Sequence, residues 1–200
     1  MRVAVIVTAW FPQSHADVCC GKLLNGIPTD NGLASPRLQV ASLYIDQSDD
    51  ATNQLPVSPG DYTGKDIGRV IAKQHGVPVF KSIRQALTLG GDQLAVDGVM
   101  VIGEHGDYPY NELGQHLYPR RQFLEQVLAV LATSGRAASC PVWNDKHLSY
   151  DWEGCYWIYK KCASLGVPLI AGRFLGLWFV TAGLCVWPQS VYCIPCLGTP

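Results

Sequence analysis

Two polar stretches concentrate the side chains that can move protons or hold cations. The first, Gly103-Glu-His-Gly-Asp-Tyr-Pro-Tyr-Asn-Glu-Leu-Gly-Gln-His-Leu-Tyr-Pro119, groups Glu104, His105 and Asp107 and sets Glu112 four residues before His116. The second is Asn144-Asp145-Lys146-His147. Imidazoles and carboxylates in this mixture suit general acid and base work on a hydroxylated small molecule. Two histidines among several carboxylates also form a donor set for a divalent cation, although no compact ligand pattern such as His-Glu-x-x-His occurs and no metal ligand is assigned. Lys146 can act as a proton donor or a fixed positive charge; the alternative is a solvated loop lysine paired with Asp145. His147 reads equally well as a reactive, a capping or a packing histidine. The catalytic candidates are therefore Lys146, His147, Asp145 and His105.

Each polar stretch leaves a short apolar run. Residues 3–7, 38–45, 77–80, 96–102, 141–143 and 167–171 read as strands. Residues 17–25, 65–75, 83–89, 122–131 and 152–164 carry helical spacing, with Gly26, Gly76, Gly90 and Gly166 as stop signals. Ser14 suits an N-cap, with Asp17 in the first turn behind it. Residues 47–64 read as a loop. Nearly continuous apolar strands alternating with helices mark a parallel sheet covered on both faces. Right-handed crossovers then give a doubly wound, mostly parallel, Rossmann-like three-layer α/β domain over residues 1–173. Ligands of such sheets bind beyond the carboxyl ends of the strands, so both polar stretches are expected to face one crevice.

Composition narrows the partners. Lys and Arg number 15 against 16 Asp and Glu, a net charge of −1, which leaves no basic excess for a nucleic acid or an anionic lipid surface. With 48% hydrophobic and 16% charged residues, a disordered chain is excluded. The adjacent Cys19 and Cys20 and the helical Cys155 and Cys162 read as reduced, buried thiols, which points to the cytoplasm. Cys193-Ile-Pro-Cys196 has the C-x-x-C form but no helix pattern follows it. Arg2 and the apolar run behind it loosely imitate an export signal; the β-branched content and Pro12 favour a buried first strand. Residues 174–200 hold no charged side chain. Their apolar part, 174–187, is short for a membrane span. It reads better as a buried extension or as a contact for a partner or a second copy.

Local wording adds a family likeness. Ala72-Lys-Gln-His-Gly-Val-Pro-Val-Phe80, Ser82-Ile-Arg-Gln-Ala-Leu87, Val96-Asp-Gly-Val-Met-Val-Ile102, Pro141-Val-Trp-Asn-Asp-Lys-His-Leu148 and Cys162-Ala-Ser-Leu-Gly-Val-Pro-Leu-Ile-Ala-Gly172 follow in order. Together they resemble the nucleotide-binding half of the glucose–fructose oxidoreductase / inositol dehydrogenase family. The resemblance implies binding of NAD or NADP and hydride transfer at a sugar or polyol carbon. It places the assisting lysine of that family's Glu-Lys-Pro segment at Lys146, with Asp145 for Glu and His147 for Pro. It further implies cofactor contacts from Thr8, Ser14 and His15 after the first strand, Asp46 after the second and Glu104 after the fourth. Two departures stand out. The turn Thr8-Ala-Trp-Phe-Pro-Gln-Ser-His-Ala16 has no glycine, although a dinucleotide turn uses glycine for close backbone approach, and Trp10 and Phe11 are expected in the space that a dinucleotide uses. The family's substrate domain has no counterpart in residues 174–200. Two other readings stay open. One is a metal- or acid/base-dependent hydrolase or isomerase using His105, Asp107, Asp145 and His147. The other is a non-catalytic binding protein that uses the uncharged tail.

Overall fold

The computed structural model describes residues 1–48 and 66–172 and the backbone of Tyr192–Cys193. Seven strands are β1 (Arg2–Val7), β4 (Gln39–Ile45), β5 (Val79–Phe80), β6 (Gly98–Ile102), β7 (Val142–Asp145), β8 (Leu169–Gly172) and β9 (Tyr192–Cys193). They form one sheet in the order β5-β4-β1-β6-β7-β8-β9, and every pairing is parallel. The first six places repeat the doubly wound 3-2-1-4-5-6 order, whose direction reverses between β1 and β6. The expected fold class is the observed one. The sequence stretches 49–65 and 173–200 lie outside the described residues, apart from the two residues of β9. So do most of the expected loop 47–64, the reading of 174–187, and the side chains of Cys193 and Cys196.

Strand alternation divides the core into two layers. Ala4 and Ile6 of β1 face one side, where they meet Val99 and Val101 of β6, Ile83 and Leu87 of α3 (Ile83–Thr88), Leu124, Val127 and Leu128 of α4 (Arg120–Thr133), and Ile158 and Cys162 of α5 (Trp152–Leu165). Val3, Val5 and Val7 face the other, with Leu43 and Ile45 of β4, Ala16 and Cys20 of α1 (His15–Asn25) and Ala72 of α2 (Gly68–Gln74). A strand apolar on both faces belongs in the middle of a three-layer fold. β1 is therefore a central strand, as its β-branched run predicts.

The structure differs from the sequence reading in two places. An antiparallel hairpin, β2 (Ile27–Thr29) with β3 (Gly32–Ala34), stands where no element was expected. All six of its strand residues are exposed, so no apolar alternation announced it. Trp10 sits fully buried between β4 and α2. A Cβ on Gly68 would come within 3.0 Å of its side chain and 2.8 Å of Ile45, so only glycine admits the indole there. The described cysteines Cys19, Cys20, Cys140, Cys155 and Cys162 are free thiols; Cys20 and Cys162 are buried as expected, whereas Cys19 and Cys155 are only half-buried. Burial, and then the charge of Asp145, pushes Cys19 up to about 12. Among the described residues no helix is long and apolar enough to cross a membrane.

Candidate functional site

The reversal point brings three chain exits together: the turn from β1 into α1, the loop after β6, and the loop after β7. Glu104 is the hub. Its Oε1 accepts a hydrogen bond from Lys146 Nζ. Its Oε2 lies 3.7 Å from His15 Nδ1 and 3.9 Å from Arg120 Nη2, and is buried without a hydrogen bond among the described residues. His15 Nδ1 lies 2.6 Å from Oδ2 of Asp145, a carboxylate that is 1% exposed and whose Oδ1 has no partner among the described residues. His105 stands against His15, ring centroids 5.7 Å apart, and Phe11 meets the His105 ring edge-on at 5.0 Å. Ligand atoms of His15, Glu104 and His105 all fall within 4.8 Å of one another.

Local chemistry holds these groups in place. Thr8 is fully buried, and its hydroxyl donates to the carbonyl of Glu104, tying the end of β1 to the exit of β6. Asn144, also fully buried, donates from Nδ2 to the carbonyls of Asp145 at 3.0 Å, Lys146 at 3.4 Å and His147 at 3.2 Å. That fan of bonds folds the chain back at the end of β7. His105 and Lys146 both have left-handed backbones, with φ of 70° and 63°. Outside glycine this conformation is strained and persists only where surrounding contacts enforce it. Arg120 opens α4 and is 3% exposed. It fits because position 103 is glycine: a Cβ there would lie 2.7 Å from Arg120 Cγ. Burial lowers the proton affinity of this guanidinium, and Glu104 opposes the change.

The structure gathers some of the expected site residues and sets others apart. Lys146, Asp145, His105, Glu104 and His15 meet at the hub. Thr8 and Ser14 are wholly buried, with their hydroxyls bonded within the protein. Ser14 Oγ accepts from Asp17 N and Phe11 N, capping α1 as its residue type predicts. Asp46 is exposed at the tip of β4, where its carboxylate accepts from the hydroxyls of Tyr44 and Tyr108. Burial, and then that carboxylate, pushes both phenols up. His147 lies beside the hub: its Nδ1 is 2.9 Å from the carbonyl of Ser149 and its Nε2 3.5 Å from Arg120 Nη1. Partial burial, and then Arg120, lowers its proton affinity.

The polar loop is split rather than gathered. Gln47 pins Asp107 by its backbone, with bonds of 2.7 and 2.9 Å, and His116 stacks between Tyr110 and Tyr118 at 4.2 Å from each. Glu112 is exposed. A cation site built within the loop from His105, Asp107, Glu112 and His116 is thus not what forms. Sequence reasoning missed Arg120, which lay before the expected helix start, and the pairing of His15 with Asp145 across 130 residues. Beside Asp46 an open hollow of about 380 Å³ is bordered by Tyr44, Ser48, Arg69 and Lys81.

No family model matches this sequence, and no curated protein does either. Solved structures do. GenD2 from gentamicin A biosynthesis, crystallised in complex with NAD, is 17% identical with a TM-score of 0.50, over 86% of this chain and 34% of that one. A Gfo/Idh/MocA family oxidoreductase from Vibrio cholerae is 13% identical (TM-score 0.48; 86% and 38% covered). Biliverdin reductase from Synechocystis sp. PCC 6803, in complex with biliverdin and NADP+, is 14% identical (TM-score 0.46; 84% and 36% covered). The chain spans about a third of the length of GenD2. What it shares with that NAD complex is the Rossmann-type α/β fold.

Proposed function

We infer that this chain is the cofactor-binding part of an NAD(P)-dependent oxidoreductase that acts on a sugar- or polyol-type substrate. The observation that carries the reading is the convergence of Lys146, Glu104, His15 and Asp145 at the point where the strand order of the sheet reverses, the place where such sheets take their ligands. The fold shared with the NAD complex of GenD2 supports it.

The residues present fit a dinucleotide at its two ends. Asp46 and the hollow beside it offer a carboxylate and open space for an adenosine ribose. Trp10 is fully buried between β4 and α2, which favours an open path for the dinucleotide; Phe11 stands beside His105. Between the ends, the turn after β1 lacks glycine, and Asp17 places a negative charge in the first turn of α1. Both weaken the hold on a pyrophosphate, so affinity in the millimolar range is expected. A bound nicotinamide would supply the hydride acceptor. Lys146, held on Glu104, is then the group that exchanges a proton with the reacting hydroxyl, and Asp145 sets the orientation of His15 next to it.

The test is a screen of polyols and aldoses with NAD+ and NADP+, followed by absorbance of the reduced nicotinamide. A turnover that falls by about 10²–10⁴ in Lys146→Met, the usual contribution of a positioned acid or base, supports the assignment. Unchanged turnover in that variant contradicts it.

A further inference from the structure

We propose that His15, His105 and Glu104 bind one divalent first-row cation, of the kind zinc represents, with Asp145 as the group that orients His15. The cluster draws on two chain exits 90 residues apart, so it exists only in the folded sheet. Its three candidate donor atoms already lie within 4.8 Å of one another. Tetrahedral donors about 2.0–2.2 Å from zinc are spaced about 3.4 Å apart, so side-chain rotations of roughly an ångström complete the set. Two imidazoles and one carboxylate are a borderline-soft donor set that suits zinc, cobalt or iron rather than calcium or magnesium.

Two further observations point to a cation. The first is the hub carboxylate: Glu104 Oε1 is taken by Lys146, whereas Oε2 is buried, 3.7 Å from His15 Nδ1 and 3.9 Å from Arg120 Nη2, and makes no hydrogen bond among the described residues. A buried carboxylate oxygen left in that condition is costly, and a metal at Oε2 satisfies it while Lys146 stays on Oε1. The second is Asp145, 1% exposed and 2.6 Å from Nδ1 of His15. A carboxylate on one ring nitrogen of a histidine fixes the ring for coordination through the other, the usual outer-shell partner of a metal-bound histidine. The nitrogen that now lies 3.7 Å from Oε2 is this same Nδ1, so coordination through Nε2 of His15 requires the ring to turn its other edge toward Oε2. The left-handed backbone of His105 belongs to the same construction, because it sets the direction of the chain leaving β6 next to α1.

Charge sets the strength. Lys146 and Arg120 flank Glu104 and oppose a cation, which places the site well below the affinity of closed structural zinc centres. Three protein donors leave a fourth position open, and the class of molecule that fits it is a hydroxyl or carbonyl oxygen awaiting polarisation. Nothing in this inference requires a dinucleotide.

The experiment uses the full chain, stripped with chelator and titrated with Co2+ in the absence of any nucleotide, by equilibrium dialysis and visible absorption. One equivalent is expected, with ligand-field bands and no thiolate charge-transfer band, displaced by Zn2+. His15→Ala and His105→Gln should each weaken binding at least tenfold, and Asp145→Asn by about 10- to 100-fold, the usual effect of an outer-shell partner. Circular dichroism identifies any variant that fails to fold, and the remaining histidine variant then decides. Cobalt that gives a thiolate band, or that binds equally in both histidine variants, overturns the proposal. So does a folded wild-type chain that binds none. Loss of nicotinamide binding leaves this result untouched, so the two readings fail separately.

Discussion

At the scale of single residues, burial decides what each charged group can do. Glu104→Gln leaves Lys146 and Arg120 without their shared counter-charge. The expected loss is about 1–3 kcal/mol, the cost of stranding a buried polar partner, read from urea denaturation; an unchanged midpoint contradicts the hub. His147 makes a pH prediction. Its proton affinity in the folded chain lies below the ordinary value of 6.5, so the unfolded chain binds more protons as pH falls through that region. Stability from this residue is complete above 6.5 and is lost on acidification. The drop in denaturation midpoint on acidification below 6.5 should therefore be smaller in His147→Gln than in the wild type. Cys19 makes a third prediction: with its thiol pushed up to about 12, iodoacetamide should leave it unmodified at neutral pH in the folded chain and label it in urea, as peptide mapping would reveal. Of the residues at the hub, Lys146, Asp145, His105 and Glu104 were legible because they follow apolar runs. The part played by His15 was not, since nothing local in the sequence announces a carboxylate 130 positions away. Arg120 was missed for a similar reason: a cation in the first turn of a helix opposes the helix dipole, and only the carboxylate of Glu104 and the face of Tyr118 explain it.

Elements were easier to read than contacts. Buried parallel strands and their crossover helices write themselves in apolar runs closed by glycine, so all five helices and the six strands up to β8 were legible to within a few residues. The hairpin at β2 and β3 was not, since Ile27 and Leu33 are exposed and its strands have no face to bury. Its turn, Asp30-Asn31-Gly32, was the available signal. Strained backbone was equally silent: Lys146 and His105 are not glycine, and their left-handed geometry comes from the buried fan of Asn144 and the ties at Thr8. Glycine spacing offers a test at this scale. Gly103→Ala puts a methyl 2.7 Å from Arg120 Cγ, and overpacking of this kind costs about 1–3 kcal/mol. Thermal denaturation should register the loss, and full wild-type stability would mean that Arg120 is not seated as described.

For the whole molecule, topology does what no single motif does. The 3-2-1-4-5-6 order brings the exits of β1, β6 and β7 side by side, and so turns three polar segments into one cluster. The composition of the chain offers no basic excess for a nucleic acid or an anionic lipid surface but was silent on this assembly, because the sequence carries no glycine fingerprint to announce a ligand at the reversal point. The central claim is that this crevice takes a nicotinamide dinucleotide. Titration of the full chain with NADH and NADPH, followed by nicotinamide fluorescence, tests it most directly. The account predicts saturable binding of at least one of them in the millimolar range, weakened about tenfold in Asp46→Ala, the loss of one charged hydrogen bond. A folded chain that saturates with neither contradicts it.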